Sequence, residues 1–548
     1  MAEANLKSWR LNWARKNPAL LYFAAGVAAI ASVIWYLQFS TRAICCGDFD
    51  GYYHARWSRL LWEGMIKGEF PPRFTFLPLT TLNPSAYVDH HFLFHILQIP
   101  FTWFADEVFG AKVGAWLFST LGIAALYWLV VRYRLSYPLV WLIALFAASN
   151  AFLFRINMTK AMSLSLVLMV AGIYLLFERK YIWLAPLAFL YVWTYSLWVL
   201  VVAAAVIWTL VVWWSERRFE WRAILWTSAG ALLGFVINPY FPHNISLFVE
   251  HVVIKATAGG FSTEVGNEWY PYNSWEFLDN CLVAFLAMAC GYIAFNAREK
   301  SLAARPLFLL IFSTLLLLAN FRSRRWAEYW PPFAVLFAAF ALQPVFDRAR
   351  ERKINNSFAN ATDENLVATR VRSKWNLSAW KLSGWSLTEC FTVATIVVAL
   401  GAAAVSNVWR TADDIRGSAA PEQYRAGMKW VQGNVRAGEL IFNANWDDFP
   451  KIFYYDTWHA YVSGLDPTYL LDENRDLAKL YTRITRGEER DAAKLVRERF
   501  GARYVFLRHE DSPGNFQLNL MKDNRSEKIY DDKYCTIIRL QDDEHAVN

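Results

Sequence analysis

Two carboxylates, Asp48 and Asp50, sit two residues apart in the stretch Cys45-Cys46-Gly47-Asp48-Phe49-Asp50-Gly51-Tyr52-Tyr53-His54-Ala55-Arg56. Such a pair, set among aromatic rings and an arginine, could hold a divalent cation or draw a proton from an acceptor group. Spacing alone favours a plainer reading, a solvated turn opened by Gly47 and Gly51. Further along, Asp89, His90 and His91 stand together, with His95 close behind. They could ligate a metal or act as hydrogen-bonding groups, although an Asp-His-His run more often caps a helix. The six cysteines make no disulfide framework. The neighbours Cys45 and Cys46 could pair only with strain or with partners elsewhere, so the sulfurs read mostly as packing.

Composition says what must hold these groups in place. Only 19% of the 548 residues are charged, while 56% are hydrophobic and 17% aromatic, in apolar runs separated by short basic clusters. A soluble enzyme, a disordered chain and a disulfide scaffold are excluded by that pattern; a polytopic α-helical membrane protein fits it. Apolar stretches of membrane-spanning character fall near 20–39, 111–131, 137–154, 161–177, 183–214, 223–237, 282–295, 307–319, 330–345 and 391–408. The stretch 183–214 is long enough for two short spans joined by a tight turn, which makes about eleven spans in all.

The net charge of +8 matters through its placement. Lys7, Arg10, Arg15 and Lys16 precede the first span and put the N-terminus in the cytoplasm. Alternation then places Arg132/Arg134, Arg179/Lys180, Arg217/Arg218/Arg222, Arg298/Lys300/Arg305 and the basic segment 348–381 inside. One cluster, Arg322, Arg324 and Arg325, falls outside, and an odd span count puts the C-terminus outside as well. The first span lacks a small-residue cleavage site and reads as a retained anchor. Residues 1–409 are thus expected to form a transmembrane domain with large outer loops at 40–110 and 242–280. Residues 410–548 are expected to form a soluble extracytoplasmic domain. Within the first loop, 92–104 is apolar but too short to span and suits the interface. In the soluble part, 422–435 and 491–500 read as helices, the second closed by Gly501; 440–443, 503–507 and 534–540 read as strands. The domain is therefore expected to be α/β.

With this topology in hand, Asp50-Gly51-Tyr52-Tyr53-His54-Ala55-Arg56 resembles the first-loop signature of the oligosaccharyltransferase catalytic subunits. That family belongs to the GT-C glycosyltransferases, multi-span enzymes that take sugars from polyprenyl-linked donors. The resemblance implies that Asp50 is catalytic and offers no assured counterpart for Asp48; Asp48, Tyr53, Arg56 and His90 are expected near the substrate. Arg325-Trp326-Ala327-Glu328-Tyr329-Trp330-Pro331 resembles the family's Arg-aromatic-x-x-Tyr-x-x-Pro opening of a late span, whose Arg contacts the lipid-linked phosphate. Arg325, helped by Arg324, takes that place. A guanidinium suits the task because its planar fork meets phosphate oxygens in pairs and stays charged at a membrane edge. Basic groups meeting lipid headgroups are the plainer alternative. The segment 261–271 is more loosely similar to the family's mobile outer loop, with Glu268 fitting its motif better than Glu264, and the small residues 256–260 could hinge a lid. Trp446-Asp447 stands where the family has WWDYG, but the Tyr-Gly is replaced by Asp448-Phe449. That change puts the acceptor pocket for protein asparagine in question; a buried aromatic and a turn carboxylate would explain the pair equally well.

The family's second outer loop carries acids for a cation. Here Arg155-Ile156-Asn157-Met158-Thr159-Lys160 has none. A divalent ion, Mg or Mn, would fall to Asp50 and Asp89, a histidine or Glu268; alternatively Lys160 or Arg155 supplies the counter-charge for the donor phosphate. Metal-independence is the favoured side of that choice. The expected function is transfer of a sugar or glycan from a polyprenyl phosphate or diphosphate to an acceptor on the extracytoplasmic face, with inversion. Asp50 and Glu268 are the expected catalytic residues: Asp50 would act as base, and Glu268 or Asp89 would help hold acceptor or cation. Protein N-glycosylation is the alternative within enzymes, and a transporter or flippase of lipid-linked sugars the alternative outside them. Few charges at mid-span speak against transport. The expected partners are membrane lipid, the polyprenyl-linked donor and a glycan or protein acceptor, with no nucleic acid. The expected location is a bacterial or archaeal plasma membrane, with the site facing the periplasm or exterior.

Overall fold

The computed structural model of the chain describes residues 18–255, 265–295, 304–359, 387–509 and 514–541. The orienting basic residues 7–16, the hinge 256–260, Glu264, Arg298, Lys300 and 360–381 lie outside the described residues.

The apolar segments fold as helices in chain order: α1 (Pro18–Gln38), α4 (Glu107–Arg132), α5 (Pro138–Ala147), α6 (Asn150–Asn157), α7 (Met162–Phe177), α8 (Leu184–Thr194), α9 (Val199–Glu216), α10 (Trp221–Val236), α12 (Ser274–Ala294), α13 (Ala304–Arg322), α14 (Trp330–Ala359) and α15 (Leu387–Arg416). The loops between them carry α2 (Asp50–Lys67), α3 (Phe92–Gln98) and α11 (His243–Phe248). Among the described residues, seven helices are long and apolar enough to cross a membrane. The pair α5 and α6, bent by 85°, makes an eighth crossing if it counts as one span. The shorter apolar helices α7, α8 and α10 complete the set of segments expected from hydropathy. Leu232, Leu233 and Val236 of α10, and Ile237 just after it, remain exposed, as lipid rather than water would have them. The interfacial segment is helical, α3 continuing into a tighter turn at Ile99–Trp103, with Trp103 exposed.

Side-chain caps set several helix starts. Asp106 accepts from the backbone N–H groups of Val108 and Phe109 at the start of α4. Asn273 accepts from Glu276 N–H at the start of α12. Ser149 accepts from Phe152 N–H at the start of α6. An N-cap ends one hydrogen-bond ladder and begins another, and at Ser149 this is where the 85° bend falls. The vicinal cysteines are a correction to the sequence reading: Cys45 and Cys46 form a disulfide, while Cys281, Cys290 and Cys535 are free.

The last apolar helix runs past residue 409 to Arg416 before the C-terminal part begins. That part holds a five-stranded mixed sheet in the order β2-β1-β3-β5-β4. Its strands are β1 (Leu440–Asn443), β2 (Ala460–Tyr461), β3 (Tyr504–Arg508), β4 (Ser526–Asp531) and β5 (Cys535–Leu540). β1 runs parallel to β2 and β3, and β5 is antiparallel to β3 and β4. Three strands match the sequence reading within a residue or two. β2 is too short to leave a hydropathy pattern, and β4 has no buried residue. Helices α16 (Arg425–Asn434), α17 (Phe449–Tyr455), α18 (Thr468–Glu473), α19 (Arg475–Thr485), α20 (Ala492–Leu495) and α21 (Asn515–Lys522) complete it.

An aromatic cluster joins this part to the first loop. Tyr53, Trp57, Phe74 and Phe76 pack with Tyr424, Phe449, Phe453 and Phe506, all buried. The backbone adds Tyr461 N–H to Phe76 C=O at 2.8 Å and Thr81 N–H to Tyr469 C=O at 3.1 Å. The sheet domain is thereby fixed over the first loop.

Candidate active site

The first turn of α2 and the turn after α6 meet through glycine. A Cβ on Gly51 would fall 2.7 Å from Ile44 Cγ2 and 3.1 Å from Thr159 Cβ, so only glycine permits this approach. The result is a triad: Lys160 Nζ lies 2.6 Å from Asp48 Oδ2 and 2.7 Å from Asp50 Oδ2. Asp50 keeps 28% of its side chain exposed, so the triad stays open to a ligand. Burial of its carboxyl pushes Asp50 up to about 7; Lys160 opposes this, while Asp48 adds to it. Lys160 is held above the ordinary lysine range, because Asp48, Asp50 and Glu268 together outweigh its burial.

Beside the triad lies a second network, built by the bend at Ser149. Arg155 on α6 is buried and forks to two acids: Nη2 lies 3.0 Å from Glu268 Oε2 and 3.0 Å from Glu328 Oε2. Glu328, 2% exposed, also accepts from Tyr195 Oη at 3.1 Å. Arg325 Nη2 donates to the same Tyr195 oxygen at 3.1 Å, and Nη1 lies 3.7 Å from Glu268 Oε1. The Arg325 guanidinium stands over the Trp269 ring at 4.9 Å, and its Nε is buried without a hydrogen-bond partner. An orphaned donor on a fixed guanidinium suits an incoming phosphate oxygen. Burial alone would raise Glu268, but Arg325, Arg155 and Lys160 hold its carboxyl well below the usual carboxylate range. Glu268 and Lys160 each act on the other's charge, so the triad and the network form one electrostatic unit.

The loop bearing Glu268 is clamped to the arginine turn. Ser323 Oγ donates to Glu268 C=O at 2.6 Å, and Arg324 N–H donates to Tyr270 C=O at 3.0 Å. Arg324's own guanidinium turns to Glu276 at 3.3 Å and over Tyr272 at 4.8 Å, so it serves the clamp. Lys255 ties the other side of this loop to Asp466 of the sheet domain at 2.5 Å.

The remaining expected residues are placed as follows. Tyr53 is buried, with its hydroxyl 2.9 Å from that of Tyr87. Arg56 has its Nε buried without a hydrogen-bond partner. Asp89, 3% exposed, accepts from Trp57 Nε1 at 3.0 Å and His91 N–H at 2.9 Å, and its Oδ2 lies 2.7 Å from His95 Nδ1. His90 is pushed down to about 4 by burial, and it lines a cleft beside Val88 and Asp89. The half-buried Trp446 borders the Glu268 loop, its ring 4.0 Å from where a Cβ on Gly266 would lie. Asp447 is engaged by Arg508, whose Nη1 reaches both its oxygens at 3.0 and 3.2 Å.

A divalent cation fits this set poorly. The Asp48 and Asp50 oxygens that could ligate it face the Lys160 ammonium, and those of Asp89 are taken by Trp57, His91 and His95. Among the described residues no group of three or more His, Cys, Asp or Glu side chains is arranged to hold a metal.

Sequence reasoning missed Tyr195 and Glu328. Glu328 left one signal: a carboxylate at the mouth of an apolar span is costly unless a cation pairs with it. Tyr195 left none.

No family model and no curated protein sequence matches the chain. Solved structures do. The oligosaccharyltransferase AglB from Archaeoglobus fulgidus, in complex with an inhibitory peptide and dolichol-phosphate, aligns with a TM-score of 0.61 at 13% identity, over 90% of this chain and 70% of that one. ArnT from Cupriavidus metallidurans bound to undecaprenyl phosphate aligns at 0.51 and 13% identity, over 93% and 97%. The arabinofuranosyltransferase AftD from Mycobacteria aligns at 0.53 and 15% identity, over 96% of this chain but 42% of that one. The chain is an integral membrane protein with the fold of the GT-C glycosyltransferases, a helical bundle whose first loop is covered by a C-terminal α/β domain.

Proposed function

We propose that the chain is a glycosyltransferase that takes a sugar or glycan from a polyprenyl phosphate or diphosphate at the extracytoplasmic membrane face. One observation carries this reading: a carboxylate pushed up to about 7, Asp50, is linked through Lys160 and Glu268 to a guanidinium, Arg325, whose Nε has no partner. The first can accept a proton near neutral pH and the second can receive negative charge as it develops. In the proposed step Asp50 takes the proton of the acceptor group. The freed electron pair forms the new bond to the anomeric carbon from the face opposite the phosphate. The old C–O bond breaks, and its electrons go to the phosphate oxygen that Arg325 faces. Glu268 gives up part of its hold on Arg325 when the phosphate arrives.

The ion-pair pattern supports an ammonium in place of a metal: Lys160 already balances Asp48 and Asp50. Transfer is accordingly expected to persist in EDTA and to gain nothing from added Mg or Mn. A chelator-sensitive rate restored by either ion would reverse that part of the reading.

The test of the main reading uses the full chain in nanodiscs with undecaprenyl-phosphate sugars, measuring release of undecaprenyl phosphate in the presence of glycan acceptors or an Asn-x-Thr peptide. Asp50→Ala should abolish release while thermal stability is kept. Unchanged turnover in that variant would remove Asp50 from the mechanism. Product on the peptide alone would favour protein N-glycosylation, the reading that Trp446 beside the Glu268 loop keeps open.

A further inference from the structure

Residues 39–49 join α1 to α2 without helix or strand, and they carry Asp48 near their end. A segment of that kind has many conformations open to it, and few of them bring Asp48 and Asp50 to Lys160. It is held along one seam, where 45–51 meets 154–160 at the end of α6. Thr159 N–H donates to Cys45 C=O at 3.3 Å, and Cys46 Sγ lies 3.8 Å from Phe154 C=O. A Cβ on Gly47, whose φ is +80°, would fall 2.8 Å from the Phe154 ring. Asp48 and Asp50 then reach Lys160, and Gly51 packs on Thr159. The Cys45–Cys46 disulfide stands at the head of this seam, with both residues 1% exposed, and the mechanism above does not use it. Overall stability gives it little purpose. A cross-link constrains the unfolded chain more as the loop it closes lengthens, and neighbours in sequence close the shortest loop there is.

We propose that the Cys45–Cys46 disulfide is a positioning element for the carboxylate pair: it fixes 45–51 on the 154–160 turn so that Asp48 and Asp50 meet Lys160. This inference rests on the reading of Asp50 as the base. Two reduced cysteines would keep the packing but lose the link between their side chains. The path from Cys46 to Asp48 then runs through Gly47, whose backbone is the least restrained of any residue, so freedom gained at the cysteines is passed on to the carboxylates. The bond also suits the extracytoplasmic side on which the proposed transfer takes place, because disulfides persist in oxidising compartments.

The experiment uses the full chain in nanodiscs. Iodoacetamide treatment of the unfolded but unreduced protein, read by mass spectrometry, should label Cys281, Cys290 and Cys535 and leave Cys45 and Cys46 unlabelled. Free thiols at 45 and 46 would overturn the inference. Cys45→Ser, Cys46→Ser and the double variant are then compared with the wild type in two further measurements, transfer and acetylation of Lys160 by N-hydroxysuccinimidyl acetate. That reagent needs an accessible, neutral amine, and Lys160 is 13% exposed and paired with both acids. In each variant Lys160 should react about tenfold faster, the effect of one pKa unit on the neutral fraction. The kcat/KM of transfer should fall about tenfold, as small misplacements of a reacting group produce, with the unfolding midpoint kept within a few degrees. The three variants should lose equally, because removing either sulfur breaks the same bond. Losses that add across the two positions would show two independent packing sulfurs and overturn the inference. Unchanged Lys160 reactivity would do the same, as would a collapsed unfolding midpoint, which would make the bond a general stabiliser. Asp50→Ala separates the two levels. Turnover kept in that variant removes the base reading, whereas Lys160 acetylation needs no transfer and still decides whether the disulfide positions the pair.

Discussion

Asp50 owes its usefulness as a base to neighbours that pull in opposite directions. Burial and Asp48 raise its carboxyl while Lys160 lowers it, and the balance stands at about 7. A group of raised pKa is ionised only above that value, so transfer should fall as pH drops through about 7. Removing a neighbour should move this acid limb in a direction set by its charge. Asp48→Asn takes away a negative charge, which should shift the limb to lower pH. Lys160→Gln takes away the stabilising positive charge, which should shift it to higher pH. The pH dependence of kcat/KM in the two variants checks both signs, and limbs that moved together or stayed in place would assign the titration to another group. The same logic explains why Arg155 escapes the usual cost of a buried charge: it faces two carboxylates, Glu268 and Glu328. Glu328→Gln should therefore be strongly destabilising, by about 3–5 kcal/mol, because a buried guanidinium loses a partner. Thermal unfolding in detergent would register this as a lowered midpoint.

At the scale of elements, the site depends on two chain breaks. The Ser149 cap starts α6 at 85° to α5, which carries Arg155 to Glu268 and Glu328 and then Lys160 to the triad. Gly51 lets the start of α2 close onto Thr159. Gly51→Ala would make α2 a better helix, since alanine has the higher helix propensity by about 1 kcal/mol. Its Cβ would nevertheless push Asp50 away from Lys160. The variant should keep its unfolding temperature within a few degrees and lose at least tenfold in kcat/KM, because small misplacements of a reacting group carry large rate penalties. Full activity would show that the close approach has no role in the chemistry. The apolar spans were legible in the sequence because each is a long run that only lipid tolerates. The bend at Ser149 left only a cap residue inside one such run, and so α5 and α6 read as a single span.

For the whole molecule, the C-terminal domain takes part in the site through its seat on the first loop. Phe453 packs against Tyr53 at 5.6 Å and Phe76 at 4.8 Å, in the cluster that holds α2 from the far side. Phe453→Ala should cost about 3–5 kcal/mol, as large-to-small changes in aromatic cores do. Limited proteolysis should then cut near the junction at 416–424, where the wild type resists. Equal resistance in both proteins would mean that the domain is held by other contacts. By itself the sequence determined the membrane bundle, most of the sheet, and Asp50 and Arg325 as candidates, since hydropathy runs, strand patterns and short motifs are written locally along the chain. Only the tertiary structure decided that Lys160 bridges Asp48 and Asp50, and that Tyr195 and Glu328 support Arg325 and Arg155. Those partners lie more than a hundred residues apart in most cases, and the strength of a charge pair depends on distance and burial, which no local pattern encodes.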